Sequence, residues 1–359
     1  MGIAIDRGRV PTRWAERTNS SLRAASPACE DANESDCVRI AFINNMPDAA
    51  LEDTEIQFFE LIEAASAEIP VRIELFSLPG VPRGERGQQH LSSFYASTDE
   101  LWNGRFDSVI MTGTEPRQPN LKDEPYWANL GKVLDWAEQN TVSTILSCLA
   151  AHAGVLHSDG VARCPMGDKK FGVFEFERVL DHELTSGMSS RVRFPHSRWN
   201  EVREDALTAC GYTVLTRSEA GVDSFVKRKK KSMFVHFQGH PEYSAETLLK
   251  EYKRDIKRFL RGERETYPTM PQGYFDAAAT KALTDFRSQA EQHRHEDSMA
   301  GFPAHQLADG LENTWRSSAT GLYQNWLRYV LSRKAEPSAL SSLFRGGHHR
   351  PAALNNEVA

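Results

Sequence analysis

Cys148 follows the short apolar run Thr144-Ile145-Leu146 and precedes Leu149-Ala150-Ala151, where a helical pattern opens. A residue at such a strand-to-helix junction lies at the crevice outside the carboxyl ends of an α/β sheet, where these sheets hold ligands. Backbone N–H groups left free at a helix start favour the reactive form of a thiol and can hold an oxyanion. The chemistry this would support is nucleophilic acyl transfer through a covalent thioester. A sharp elbow needs small neighbours. Ala150 and Ala151 comply, whereas Leu146 stands where the G-x-[SC]-x-G form has glycine. Taken alone, Cys148 reads better as a small buried hydrophobe. Cys29, Cys37, Cys164 and Cys210 lack the strand-to-helix setting altogether.

A partner stands downstream. Gly239-His240-Pro241-Glu242-Tyr243 directly follows the β-branched and aromatic run 233–237. A histidine at a strand end can serve as the base of a nucleophilic cysteine, with a carboxylate two residues on holding its tautomer. The triplet His-Pro-Glu occurs by chance in loops. Its weight comes from the chain order Cys…His-x-Glu behind an elbow cysteine.

The surrounding elements must bring these groups together. Residues 38–43 alternate and are β-branched, as a strand requires. Asn44-Asn45-Met46-Pro47 is a turn signal, and a helical pattern covers 51–65. Strand character returns at 71–76 and at 108–111, the latter running into Thr112-Gly113, and 144–146 reads as a short buried strand. Residues 126–139 have helical spacing at Leu130, Val133, Leu134 and Ala137. Strands alternating with helices predict an α/β fold with a mostly parallel sheet flanked by helices. In the second half, 212–216, 224–226 and 233–237 read as short strands, and 247–261, 280–295 and 321–333 as helices, with an irregular stretch over 264–279. The basic run 227–231 lacks interleaved aromatics and reads as a solvated hairpin tip. The predicted organisation is a flexible arm over 1–36, one unit with a C-terminal helical extension over 37–335, and a disordered tail over 336–359 containing His348-His349.

Composition narrows the function class. The chain has 359 residues, and 43 Lys+Arg against 49 Asp+Glu leave a net charge of −6, which argues against a dedicated nucleic-acid binder. No apolar run reaches the length of a membrane helix, and the N-terminus lacks a signal-peptide core. Five scattered cysteines without a C-x-x-C pair fit neither a disulfide scaffold nor a cysteine zinc site. A cytoplasmic enzyme with no metal and no resident cofactor is the expectation.

The Cys…His-x-Glu order resembles the class I glutamine amidotransferase-like (flavodoxin-like) fold, whose triads occupy these two places. More specifically, about four-fifths of the chain, residues 38–333, is similar to the homoserine O-succinyltransferase (homoserine transsuccinylase) family of methionine biosynthesis. The matching pieces come in order: Asn44-Asn45-Met46-Pro47 with Glu55-x-Gln57-Phe58, His90-Leu91-x-x-Phe94-Tyr95, Thr112-Gly113…Tyr126-Trp127, Pro195-His196-Ser197-Arg198, Gly239-His240-Pro241-Glu242-Tyr243, Trp315-Arg316-Ser317 and Asn325-Trp326-Leu327.

The resemblance implies Cys148 as acyl-thioester nucleophile, His240 as general base and Glu242 as its orienting partner. It further implies substrate binding by Lys169, with adjacent Lys170 the possible confusion, by Ser197, and by Arg254 on the substrate carboxylate. A bidentate guanidinium suits that carboxylate. Glu251, three residues before Arg254 on one helical face, could take the amino group, although on pattern alone the two read as a surface ion pair. The backbone N–H near Leu149 would hold the oxyanion. Acyl-CoA would serve as substrate in a ping-pong reaction, and the family implies a homodimer.

Two departures stand out. After Met46-Pro47 the family carries a lysine pair, whereas this chain has Asp48-Ala49-Ala50. At the position after Thr112-Gly113 where Gly accompanies succinyl and Glu acetyl transfer, counting arrives at Arg117. A cation there would favour the free carboxylate of succinyl, while Glu115 turned inward would repel it. Succinyl-CoA and L-homoserine are therefore the expected substrates, with acetyl-CoA or L-serine as rivals within the fold. An amidase-type hydrolase with the same triad would leave Arg254 without a role, and a non-catalytic sensor would have no use for an intact triad.

Overall fold

The computed structural model describes residues 3–5, 10–17, 36–308 and 310–335. The expected positions Cys29 and His348-His349, and the tail over 336–359, lie outside them. In chain order the strands are β1 (Ile3–Ile5), β2 (Val38–Ile43), β3 (Val71–Phe76), β4 (Ser108–Met111), β5 (Ser143–Ser147), β6 (Cys164–Arg178), β7 (Arg191–Glu201), β8 (Thr213–Ser218), β9 (Gly221–Lys229) and β10 (Ser232–Phe237). The helices are α1 (Thr12–Arg17), α2 (Asp48–Ser66), α3 (Glu85–Phe94), α4 (Thr98–Asn103), α5 (Trp127–Asn140), α6 (Leu149–Asp159), α7 (Glu204–Ala209), α8 (Thr247–Leu260), α9 (Ala277–Gln292), α10 (Ala304–Ala308) and α11 (Arg316–Ala335).

All ten strands form one sheet in the order β1-β3-β2-β4-β5-β10-β9-β8-β6-β7. From β1 to β10 every pairing is parallel, and from β10 to β7 every pairing is antiparallel. The period of two along each central strand divides the core into two layers. Ile40 and Phe42 of β2 pack with Phe58 and Phe59 of α2 and with Leu322 and Trp326 of α11. Ala41 and Ile43 face the other way, toward Leu130 and Val133 of α5 and Ala150 of α6. The expected α/β architecture, a largely parallel sheet with helices on both faces, is thus the observed one. A third cluster joins Phe171 and Val173 of β6 to α8, α9 and Trp315, so the C-terminal helices cover the ribbon. No helix among the described residues is long and apolar enough to cross a membrane.

Two features depart from the sequence reading. The β6–β7 ribbon was not anticipated, because its stability comes from antiparallel pairing between distant segments. The described part of the N-terminal arm is ordered structure: Ile3–Ile5 adds to the open edge of β3 in the register Ile3↔Val71. The Trp14 ring of α1 meets Phe59 edge-on at 5.4 Å, and Arg13 reaches Asp53 at 2.8 Å. Three apolar residues suffice to cover a sheet edge that would otherwise expose unpaired backbone, and a composition averaged over the whole arm hides them. By contrast, the basic run 227–231 does lie at the β9–β10 hairpin, as expected.

Candidate active site

The turn from β5 to α6 puts Cys148 at φ 50° and ψ −109°, a region non-glycine residues seldom occupy. Its N–H donates to the Phe237 carbonyl of β10 at 2.8 Å, and its own carbonyl accepts from Ala151 and His152 at 3.0 and 3.2 Å. The elbow is therefore tied to both the helix start and the neighbouring strand. Leu146, which replaces the usual elbow glycine, fits because Gly154 lies opposite: a Cβ there would fall 2.4 Å from Leu146 Cδ1. Room that the motif normally supplies before the nucleophile is supplied one helix turn and more beyond it. Cys148 is partly accessible, and Cys37, Cys148, Cys164 and Cys210 are all free thiols.

Three residues past Phe237 the chain delivers His240. Gln238 pins the loop, its amide oxygen accepting from Val202 N at 2.8 Å and its amide nitrogen donating to Val222 O at 2.8 Å. Gly239 is required by close approach, since a Cβ would lie 2.7 Å from Asp223 Oδ1 and 2.9 Å from Pro195 O. The His240 N–H donates to Pro195 O at 2.8 Å. Its ring stacks on Tyr243 with centroids 4.2 Å apart, and Nδ1 lies 2.8 Å from Glu242 Oε1. Cys148 lines the same cavity as His240, and its electrostatic influence reaches the imidazole. Burial disfavours the imidazolium, but the electrostatic influence of Cys148 and Glu242, with the Glu242 hydrogen bond, outweighs it and holds the His240 pKa well above its ordinary value.

The C-terminal motif anchors this loop from behind. Trp315 Nε1 and Asn313 Nδ2 donate to the Tyr243 carbonyl at 3.0 and 3.3 Å, and Trp326 Nε1 donates to Ser143 Oγ of β5 at 2.9 Å. The opening motifs form a second buried scaffold. Glu55 accepts from Tyr95 OH at 2.6 Å and contacts His90 Nε2 at 2.7 Å, while Asn44 Nδ2 donates to Tyr95 OH at 3.1 Å. These residues support the Met46-Pro47 turn, which walls the cavity in front of Cys148.

That cavity is about 660 Å³ and brings Cys148, His240, Lys169, Ser197, Glu251 and Arg254 to one space. Glu251 is the hub of its polar end. One oxygen accepts from Tyr243 OH at 2.7 Å; the other accepts from Ser197 Oγ and lies 3.5 Å from Lys169 Nζ and 3.7 Å from Arg254. Asp255 completes the set, 3.1 Å from both Lys169 and Arg254. Burial opposes the Arg254 charge, but Asp255 and Glu251 raise its pKa, and half of its side chain remains exposed. Burial likewise opposes the Asp255 charge, yet Lys169 and Arg254 lower its pKa. Asp255, four residues after Glu251 on the same helical face, was missed in the sequence although that spacing marked it.

Lys169 and Lys170 separate as neighbours on a strand must. Lys169 enters the cavity, with its ammonium 3.8 Å from the Phe171 ring centroid. Lys170 points to the opposite face, donates to the Ala220 carbonyl, and has its pKa lowered to about 8 by burial.

At the other end of the cavity, Leu149 opens α6, so its N–H has no intrahelical acceptor. Gly113 approaches so closely that a Cβ would fall 3.0 Å from Leu149 N and 2.7 Å from Leu149 Cβ. Ala49 and Ala50 line the wall where the resemblance led to a lysine pair, and Asp48 turns away to accept from Gly84 N at 2.8 Å. Glu115 lines the mouth, 3.8 Å from Arg258. Arg117 is a correction: its side chain is exposed and is not part of the cavity wall. Its N–H and that of Gln118 instead cap the Glu124 carboxylate at 2.5 and 2.7 Å, and this turn carries the side chain outward. Arg163 and Arg198 do line the wall, and both were missed. Burial lowers both pKa values, partly offset by the negative charge of Cys148.

A largely parallel α/β sheet with a thiol on a strained elbow and a His–Glu pair just beyond the adjoining strand is the arrangement of proteins that carry an acyl group on cysteine. Residues 16–336 match the family model described as homoserine O-succinyltransferase. The chain is 47% identical over 301 residues to the homoserine O-succinyltransferase of Rhodopseudomonas palustris, spanning 84% of this chain and 89% of that one. It is 45% identical over 301 residues to that of Methylorubrum extorquens, spanning 83% and 88%. Among solved structures, a glutamine amido transferase from Methylobacillus flagellatus aligns with a TM-score of 0.44 at 13% identity, over 89% of this chain and 99% of that one. The chain belongs to the homoserine O-succinyltransferase family.

Proposed function

We propose that this chain transfers the succinyl group of succinyl-CoA to the hydroxyl of L-homoserine through a thioester on Cys148. The observation that carries the reading is Cys148 on a strained elbow and the His240–Glu242 pair, bonded at 2.8 Å, lining one cavity with Arg254, Glu251 and Asp255. In the first half-reaction the Cys148 sulfur attacks the thioester carbonyl while His240 holds the thiol proton. The Leu149 N–H faces the tetrahedral oxyanion, and collapse expels the CoA sulfur, which takes the proton from His240. In the second, the homoserine hydroxyl attacks the acyl-cysteine, His240 removes its proton, and collapse returns the thiol with release of the O-acyl ester. Arg254 would hold the homoserine carboxylate and Glu251 its ammonium group. The buried Arg198 and half-buried Arg163 favour an anionic acyl group such as succinyl over acetyl. The acyltransferase unit is taken as residues 37–335.

The test is to incubate the protein with succinyl-CoA or acetyl-CoA and follow CoA release with and without L-homoserine or L-serine. Release that depends on homoserine, together with a succinyl adduct on Cys148 when acceptor is withheld, is expected. Full-rate release without any acceptor would make the protein a hydrolase. No adduct on the wild type, or an undiminished adduct in Cys148→Ala, would refute the thioester.

A further inference from the structure

Beside the cavity mouth, α8 presents Lys250, Lys253, Arg254, Lys257, Arg258 and Arg261 along one stripe. They line a surface groove of about 380 Å³. Their spacing of three and one, repeated, keeps every member on a single helical face. The opposite face, with Leu248, Tyr252, Ile256 and Phe259, is buried against the C-terminal helices, so packing of α8 does not need the stripe. A face that serves only solubility mixes both signs at i, i+3 and i, i+4, because like charges at those spacings destabilise a helix. Here the helix's two acidic residues with cavity-side partners, Glu251 and Asp255, are engaged by Lys169, Ser197 and Tyr243.

Several stripe residues do have partners: Lys250 pairs with Asp53 at 2.8 Å, Arg258 with Glu115 at 3.8 Å, and Arg261 with Glu296. Lys253 lies 5.0 Å from the Phe302 ring centroid. Among the described residues, neither Lys253 nor Lys257 forms an ion pair. With Arg254 also paired to Glu251 and Asp255, the stripe still leaves Lys253 and Lys257 to meet a polyanion, a local feature on a chain with a net charge of −6.

The groove is continuous with the active-site cavity, since Arg254, Arg258 and Glu263 line both. Arg254 and Arg261 are about 10 Å apart along the helix axis. We infer that the α8 stripe apart from Arg254, with Lys253 and Lys257 as its cations outside any ion pair, binds the phosphates of the acyl-CoA donor. This rests on the acyl-CoA reading above. The donor carries its thioester at one end of a long pantetheine arm and its 5′-diphosphate and 3′-phosphate at the other. A thioester placed at Cys148 therefore leaves the phosphates outside the cavity, on a surface that adjoins it.

The test compares succinyl-CoA with a phosphate-free donor, the succinyl thioester of N-acetylcysteamine, in the wild type and in Lys253→Glu/Lys257→Glu. The KM for succinyl-CoA should rise about tenfold or more with kcat and the homoserine KM little changed, while kcat/KM for the phosphate-free donor stays at the wild-type value. Adenosine 3′,5′-bisphosphate should compete with succinyl-CoA in the wild type and lose that effect in the variant. Lys253→Gln/Lys257→Gln, which keeps the side-chain length near Phe302, should give a smaller change in the same direction. An unchanged KM for succinyl-CoA, or an equal loss with both donors, overturns the inference. A wild type inactive with either donor would instead overturn the acyltransferase reading. In that case calorimetric titration of adenosine 3′,5′-bisphosphate still decides the groove, with binding weakened by the double variant expected and no binding to the wild type refuting it.

Discussion

The N–H of Cys148 donates to the carbonyl of Phe237 at 2.8 Å, so the elbow and the strand leading to His240 are registered by one backbone hydrogen bond. Residues almost ninety positions apart in the chain thus meet through the parallel pairing of β5 with β10, Ser147 opposite Phe237. Sheet register thus brings the elbow to the loop that carries His240, and Gln238 fixes that loop in turn.

Gly113→Ala tests the oxyanion side of the elbow. The new Cβ would fall 2.7–3.0 Å from Leu149 Cβ and N, and the backbone there cannot yield without moving the N–H proposed to hold the oxyanion. A kcat loss of about 10²-fold with little change in the homoserine KM is expected. Steady-state kinetics with full activity would remove Leu149 from the mechanism.

Glu242→Gln removes one of the charges that raise the His240 pKa. The variant's imidazole should titrate at lower pH, observable by NMR of the ring, and kcat should fall by about 10²–10⁴-fold. A raised folded-state histidine pKa contributes stability that is complete below the ordinary histidine value and is lost as pH rises through the elevated one. The stability lost in the variant should therefore shrink as pH climbs above neutrality. A His240 titration unmoved by the substitution contradicts the coupling.

Arg254→Lys keeps the charge and loses the planar fork. The homoserine KM should rise about tenfold or more, whereas acylation of Cys148 in a single turnover without acceptor proceeds at nearly the wild-type rate. Slowed acylation with an unaltered acceptor KM would place Arg254 on the donor instead.

Lys170→Met separates the two adjacent lysines. Because Lys170 is buried with its pKa lowered to about 8, the folded state disfavours its charge below that pH, and the penalty is relieved as pH rises toward the ordinary lysine value. Wild type should therefore gain stability relative to Lys170→Met between about pH 8 and 10, measured by denaturant titration, and the variant should keep its transferase kinetics. Lys169→Ala, by contrast, should impair acceptor turnover.

Much of this protein is local in origin. The alternation of 38–43 and the 3.6 spacing of Leu130, Val133, Leu134 and Ala137 state which side chains must be buried, so the strands and helices of the parallel half follow from short windows. Cys148 and the His240–Glu242 pair were legible for the same reason, each lying at the end of a short buried run. The polar end of the cavity was legible only through the family resemblance, since Lys169, Ser197, Glu251 and Arg254 carry no local pattern that sets them apart from solvated residues.

What no window contains is how distant segments pair. The β6–β7 ribbon aligns Phe171 with Ser197, and only that register, together with the docking of α8, puts Lys169, Ser197 and Glu251 around one point. Counting along 112–127 selected Arg117, but the capping of Glu124 turns that side chain out, and Arg163 from the far side of α6 faces the cavity instead. Gly154 makes room for Leu146 across the helix–sheet interface, and Ile3–Ile5 finds an edge that exists only once β3 is in place. Periodicity encodes which face of an element is apolar. Register, side-chain direction in loops and close approach are decided by packing partners remote in the chain, and these appear only when the sheet has closed on its helices.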